Sequence, residues 1–336
     1  MMLKEATLWA QKLREGIELA ETFYTQNGHR LPKHIKKIAF VGMGGSGIAG
    51  RITKMFLDRS TDVISWVIDG IDLPQAIGTD TLAIVISYSG NTWETLEVLE
   101  QLHQKFIPTV VLAHAGRAIE IAEAKNLPFA MVPASVSPRS ALGHFLGFLL
   151  TLLDQLSVIG GRTIVDQFIK HAEKYTLKFT DIEFFKDCLY AANGYETFHV
   201  WGVSGDVAAC AYRAQTQFNE NSKVHAVSSV FPELCHNLLV GFTKVTHAPL
   251  VLFYYTDFLP VKMVKAVQVA TELCKEKGVA LYKPPVLGDT FETQAFNVIL
   301  WTDFASCYLA KSRHVDVDPV AIIDTLKEKH KQKGIK

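Results

Sequence analysis

Two hydrophobic rhythms run along this chain. Through residues 3–26 the apolar positions Leu8, Leu13, Ile17, Leu19, Ala20 and Phe23 recur at helical spacing, which predicts an N-terminal amphipathic helix. Short apolar runs then alternate with helical stretches. Ile38–Val41, Val63–Ile68, Leu82–Ile86, Thr109–Leu112 and Phe129–Val132 read as strands, and Ile48–Asp58, Trp93–Lys105 and Ala118–Lys125 as helices between them. Such β-α-β alternation predicts a mainly parallel sheet flanked by helices. Ser140–Leu156 reads as a long apolar helix, followed by the more polar helical stretches Ile164–Lys178 and Ile182–Ala192. The rhythm then restarts. Phe198–Gly202 is strand-like and Val207–Asn219 helical. Leu250–Tyr255 and Val298–Trp301 read as further strands, with the helix Lys262–Lys277 between them. A duplicated module accounts for the repetition. The expectation is an α/β protein of two doubly wound domains. Residues 1–154 hold the N-terminal helix and first domain, 155–193 a helical connection, 194–311 the second domain and 312–336 a C-terminal helical segment.

Candidate chemistry gathers where two of these strands end. Lys37-Ile38-Ala39-Phe40-Val41 runs into a turn containing Gly42, Gly44, Gly45, Ser46 and Gly47, and Leu82–Ile86 runs into Ser87-Tyr88-Ser89-Gly90-Asn91-Thr92. Glycines let backbone N–H groups approach an anion, hydroxyls donate to it, and a following helix presents its positive end. Gly45, Ser46, Ser87, Ser89 and Thr92 therefore form a candidate phosphate cradle, with Tyr88 and Asn91 as loop structure. The same glycines satisfy G-x-G-x-x-G, and Asp69 ends the next strand where a ribose-binding acid belongs, so a dinucleotide-dependent oxidoreductase is the rival reading. The concentrated hydroxyls of Ser87, Ser89 and Thr92, which a dinucleotide does not need, weigh against it. So does the half-turn Trp201-Gly202-Val203-Ser204-Gly205, which recurs without a full fingerprint.

Composition narrows the field further. With 336 residues, 49% hydrophobic and 20% charged, the chain is long and apolar enough for two cores. Its formal net charge of zero argues against a nucleic-acid partner. The closing lysines Lys327, Lys329, Lys331 and Lys333 look like a solvated helix end. Five cysteines (Cys188, Cys210, Cys235, Cys274 and Cys307) lack C-x-x-C spacing, which favours reduced core thiols over a disulfide framework or zinc site. His144, Asp154 and Gln155 interrupt the apolar run from Leu142 to Ile159, marking a buried helix rather than a membrane span. No leader pattern opens the sequence, so a cytoplasmic location is expected. His114, His144, His171 and His247 have no recognisable partners and read as structural.

Gly44-Gly45-Ser46-Gly47 with Ser87-Tyr88-Ser89-Gly90-Asn91-Thr92 resembles the sugar isomerase (SIS) domain. Pro138-Arg139-Ser140, Asn219-Glu220-Asn221 and Pro232-Glu233-Leu234-Cys235-His236-Asn237, in this order, are similar to the bifunctional phosphoglucose/phosphomannose isomerase family. The resemblance implies two SIS domains, a homodimer, no metal or other cofactor, and interconversion of glucose 6-phosphate or mannose 6-phosphate with fructose 6-phosphate. That reaction moves a proton between two carbons through a cis-enediol, and needs a base, an enediolate stabiliser and a ring-opening pair. The resemblance assigns Glu220 as base, Arg139 as stabiliser, and His236 with Lys327 to ring opening, His236 being shared across the dimer interface. Glu233 then orients its loop, and the amides of Asn219 and Asn221 are expected to hold the Glu220 carboxylate. One departure stands out: Asp318, in Val315-Asp316-Val317-Asp318-Pro319, occupies the place of an expected threonine. A binding module without chemistry would need the hydroxyl loops but not Glu220, Arg139 or His236.

Overall fold

In the computed structural model, which describes residues 1–244 and 247–334, the chain divides into two compact units. The first comprises Leu8–Ile169 and Val320–Lys336, the second Met1–Thr7 and Lys170–Pro319. The elements run α1 (Met2–Ala6), α2 (Trp9–Asn27), β1 (Lys37–Val41), α3 (Gly44–Ser60), β2 (Ile64–Ile68), β3 (Thr81–Ser87), α4 (Trp93–Gln104) and β4 (Thr109–Ala113). Next come α5 (Arg117–Ala124), β5 (Phe129–Met131), α6 (Leu142–Gln155), α7 (Gly161–Phe179), α8 (Lys186–Ala192), β6 (Thr197–Val203), α9 (Ala208–Ser222) and β7 (His225–Phe231). The chain continues through α10 (Leu238–Gly241), β8 (Leu250–Tyr254), α11 (Val261–Glu276), β9 (Leu281–Tyr282), α12 (Phe291–Ser312) and α13 (Ala321–Gln332).

The first unit's sheet has the order β2-β1-β3-β4-β5, all pairs parallel. Every residue of β3 is buried, as expected of a strand covered on both faces. Pairing sets Val41, the last residue of β1, beside Val85, so β3 runs on to Ser87 past the start of the glycine turn. Because β1 lies between β2 and β3, the connections leaving β1 and β3 go to opposite sides, opening a crevice at their carboxyl ends. The second unit repeats this plan as β7-β6-β8-β9, again parallel. Its corresponding crevice lies beyond β6 and β8.

Three expectations from the sequence need correction. Val298–Trp301 is not a strand but the middle of α12, whose residues are buried from Gln294 through Ala310. A helix buried all round loses its amphipathic period, and a short apolar run cannot then be told from a strand. The deciding signal is the capping box in which Thr290 and Thr293 satisfy each other's backbone. β7 and β9 were not anticipated: β7 is an edge strand interrupted by Ser228 and Ser229, and β9 is two residues long. The N-terminal helix is broken, because the Thr7 hydroxyl and N–H both turn back to the Lys4 carbonyl. Met2 and Ala6 are buried and α1 groups with α12 in the second unit. The apolar stretch after Pro138 forms α6, buried from Leu142 through Leu153, and among the described residues no helix is long and apolar enough to cross a membrane.

Candidate active site

The crevice of the first unit gathers six of the residues singled out in the sequence. β1 hands over to α3 at Gly44, and β3 to α4 through Thr92 at its N-cap, so two helix N-termini open onto one sheet edge. Ser46, in the first turn of α3, is buried, and its Oγ accepts the Tyr88 N–H at 3.0 Å, fastening the glycine turn to the loop after β3. In that loop the Ser87 hydroxyl donates to Thr92 Oγ1 at 3.4 Å, and Ser89 Oγ accepts from Asn91 N at 3.2 Å. Gly90 adopts a φ of +63°, and a Cβ there would lie 1.8 Å from the Ala115 carbonyl oxygen, so only glycine fits. Tyr88 and Asn91, within the loop, brace it against its neighbours. Tyr88 stacks on His114 at 5.1 Å and its hydroxyl donates to Ser135 O at 2.7 Å, while Asn91 Oδ1 accepts from Arg117 N at 3.1 Å.

Arg139 joins the same edge. It sits in a 3₁₀ turn, Pro138–Ser140, closed by reciprocal bonds between Ser137 and Ser140. A Cβ on Gly45 would come within 3.1 Å of Arg139 N, so the glycine turn and the arginine turn lie against each other. The Arg139 side chain is 5% exposed. Sequence reasoning missed what holds this turn from behind. Lys12 Nζ, buried, donates to Ser140 O at 2.7 Å, and His144 Nε2 lies 2.7 Å from Glu15 Oε2. Burial pushes the Glu15 carboxyl up, but the Gln11 amide and His144 outweigh it, leaving the pKa lowered. A signal was present: Lys12 falls four residues after Leu8, on the apolar stripe of α2 where a charge is out of place.

Glu220 and His236 lie in the second unit. Glu220 is half-buried in the last turn of α9. Asn219 does not hold its carboxylate as expected: adjacent helical side chains point apart, and the Asn219 amide exchanges two bonds with Ala226, at 2.7 and 3.1 Å. Asn221 Nδ2 donates to Ser306 Oγ of α12 at 2.9 Å. His236 is exposed at the end of a 3₁₀ turn, Glu233–His236, and Glu233 Oε1 accepts from Asn237 Nδ2 at 3.1 Å. At the crevice of this sheet a buried carboxylate stands where the first unit has Ser46. Asp206 accepts the Thr256 N–H at 2.8 Å and the Thr256 hydroxyl at 2.5 Å.

Residues 33–157 match the SIS domain family and residues 190–329 the bacterial phospho-glucose isomerase C-terminal SIS domain. The chain is 30% identical over 302 residues to a bifunctional phosphoglucose/phosphomannose isomerase of Thermoplasma volcanium, covering 87% of this chain and 90% of that one. It belongs to the bifunctional phosphoglucose/phosphomannose isomerase family. A relative of the same name in Aquifex aeolicus is 29% identical over 95% of this chain and 99% of its own length. The tagatose-6-phosphate ketose/aldose isomerase of Escherichia coli shares the fold, with a TM-score of 0.71 at 14% identity over 95% of each chain.

Within this phosphoglucose/phosphomannose isomerase family member, the remaining candidates are less tightly placed. Lys327 is exposed on α13 in the first unit. Asp318 accepts from Met2 N at 3.2 Å within the second unit. Asp69, which a dinucleotide reading reserves for a ribose, is ion-paired with Arg51 of α3. Among the described residues no disulfide joins the cysteines, four of which are buried, and burial pushes the Cys188 thiol up to about 12. Among the described residues, no group of three or more His, Cys, Asp or Glu side chains converges as a metal site.

Proposed function

We propose that the chain is an aldose–ketose isomerase that interconverts glucose 6-phosphate and mannose 6-phosphate with fructose 6-phosphate through a cis-enediol. Family membership supports the reaction class. The observation that carries the substrate class is the first-unit crevice, where neutral hydroxyls and two helix N-termini meet beside a buried arginine. Ser46, Ser87, Ser89, Thr92 and the N–H groups at Gly45 bind the phosphate, whose charge the two helix ends favour. His236 and Lys327 pass the ring-opening proton between the ring oxygen and the C1 hydroxyl. Glu220 then takes the proton from C2 of the open-chain aldose and returns it to C1, while the hydroxyl proton passes from O2 to O1, giving the ketose. The Arg139 guanidinium stabilises the negative charge that develops on the enediolate oxygen. A homodimer that lends His236 to the partner subunit's site completes the reading.

A coupled assay offering glucose 6-phosphate and mannose 6-phosphate separately, with fructose 6-phosphate as the readout, tests it. Turnover of at least one aldose phosphate is expected. Retained sugar-phosphate binding with no turnover of either would assign the chain to non-catalytic sensing instead.

A further inference from the structure

α9 and α12 share a buried row of polar groups alongside their apolar contacts. The Arg213 guanidinium grips both oxygens of Asp303, Nη1 on Oδ1 and Nη2 on Oδ2, and Gln217 Nε2 donates to Asp303 Oδ1 at 2.8 Å. One turn along, Asn221 Nδ2 bonds Ser306 Oγ at 2.9 Å, Ser222 Oγ donates to Ser306 O at 2.7 Å, and Ser306 Oγ returns to Asp303 O at 3.2 Å. Arg213, Asp303, Gln217, Asn221, Ser222 and Ser306 are all buried. Arg213, Gln217 and Asn221 recur every four residues and so occupy one face of α9.

An apolar seam tolerates small slides and rotations of one helix on another, whereas directional buried bonds do not. Buried ion pairs contribute little net stability, and their best-attested use is to fix register. Glu220 follows Gln217 by three residues and precedes Asn221 by one, placing it about 60° and 100° around the helix from the two anchors. A side chain reaching about 6 Å from the axis moves by about 1 Å when the helix turns by about 10°. A misplacement of about 1 Å can cost about a hundredfold in rate.

We infer that Asp303 is a positioning residue for the reaction: by locking the rotation and register of α9 it sets the direction from which the Glu220 carboxylate meets the substrate carbon. The inference rests on Glu220 as the base. Its test compares Glu220→Gln, Asp303→Asn and Ser306→Ala for kcat and KM with fructose 6-phosphate, normalised to folded enzyme. Glu220→Gln is expected to lose nearly all turnover. Asp303→Asn keeps the shape and removes the charge, and its kcat is expected to fall about tenfold or more with KM within about twofold of wild type. Ser306→Ala, which removes one hydroxyl, is expected to move kcat the same way by less. A merely structural network would lower the melting temperature and leave kcat per folded molecule unchanged, and that result overturns the inference. If Asp303→Asn does not fold, Ser306→Ala decides, an unchanged kcat counting against it. Full turnover in Glu220→Gln would remove the base reading and this inference with it, whereas loss there with normal kcat in Asp303→Asn removes the inference alone.

Discussion

The turns after β1 and after β6 are fastened in the same way but differ in charge. In each, the first turn residue donates its N–H to the end of the edge strand: Gly42 N to Ile68 O at 3.1 Å, Ser204 N to Phe231 O at 2.8 Å. In each, a buried side chain from the turn accepts the N–H just beyond the neighbouring strand, Ser46 from Tyr88 and Asp206 from Thr256. The difference is a hydroxyl against a carboxylate. A hydroxyl that accepts one bond still has a proton to donate to an anion, while a carboxylate has none and repels it. Around the second turn lie Asp257, bonded to Gln294, and Lys283, which stacks on the Tyr255 ring at 4.0 Å and whose pKa burial lowers. The same architecture thus carries a neutral hydroxyl in one unit and a carboxylate in the other, in keeping with the proposal that the phosphate binds in the first unit and that Glu220 and His236 act from the second. A topological repeat does not imply a repeated site.

This division predicts different kinetic signatures. The largest effect belongs to the chemistry: Glu220→Gln keeps shape and loses the base, so kcat should fall by about 10²–10⁴. KM should stay within about threefold, because an interaction made only in the transition state is what has gone. Near-normal steady-state turnover would remove Glu220 from the mechanism.

Exchanging the two solutions tests the comparison directly. Ser46→Asp carries the second unit's carboxylate into the first, and like-charge repulsion of several kcal/mol should raise KM for fructose 6-phosphate by about 100-fold or more. Removing the hydroxyl is milder. Ser46→Ala and Ser89→Ala should each raise KM by an amount equivalent to about 1–2 kcal/mol. If the Ser46→Asp enzyme binds sugar phosphate normally in calorimetry, the cradle lies elsewhere.

How much of this was legible in the sequence follows from burial and sequence distance. β1 and β3 stood out because strands covered on both faces are continuous apolar runs, and their terminal glycines and hydroxyls are contiguous. α12 was misread for the same reason, its middle being as apolar as a buried strand. The partnership of His144 with Glu15 spans 129 residues, and no local pattern reports it. Asn219 was placed correctly on its helix, yet its amide bonds Ala226 across a turn into a strand the sequence did not reveal.

The proposed sharing of His236 predicts a smaller but unambiguous recovery. Inactive Glu220→Gln chains and inactive His236→Ala chains, dissociated and mixed, pair at random, so about half the dimers are mixed. If each site takes His236 from its partner, every mixed dimer has one intact site and one lacking both groups, and roughly a quarter of wild-type activity returns. With exchange verified by mass spectrometry of differently tagged chains, zero recovery means that His236 serves its own chain.

The smallest effect at neutral pH concerns His144 and His171, both buried, which differ in partner. His144 of the first unit faces the Glu15 carboxylate at 2.7 Å, whereas the hydrogen-bond partner of His171 in the second is the Asn297 amide oxygen, at 3.2 Å. An amide cannot offset the desolvation of an imidazolium, so burial, with a lesser contribution from Lys174, drives the His171 pKa from 6.5 to about 4. In the unfolded chain the group titrates near 6.5. Between those values the unfolded state binds a proton that the folded state refuses, so the His171 contribution to stability must fall as pH drops through 6.5 and level off below about 4. His171→Gln retains an amide able to donate to Asn297 and removes the titration. The variant should match or fall slightly below wild type at pH ~7.5, and near pH 4.5 it should lose on the order of 2 kcal/mol less than wild type does. Urea unfolding of both proteins at the two pH values reads that difference. Parallel losses would show that His171 keeps an ordinary pKa in the fold and that its amide partner is no weaker than a carboxylate.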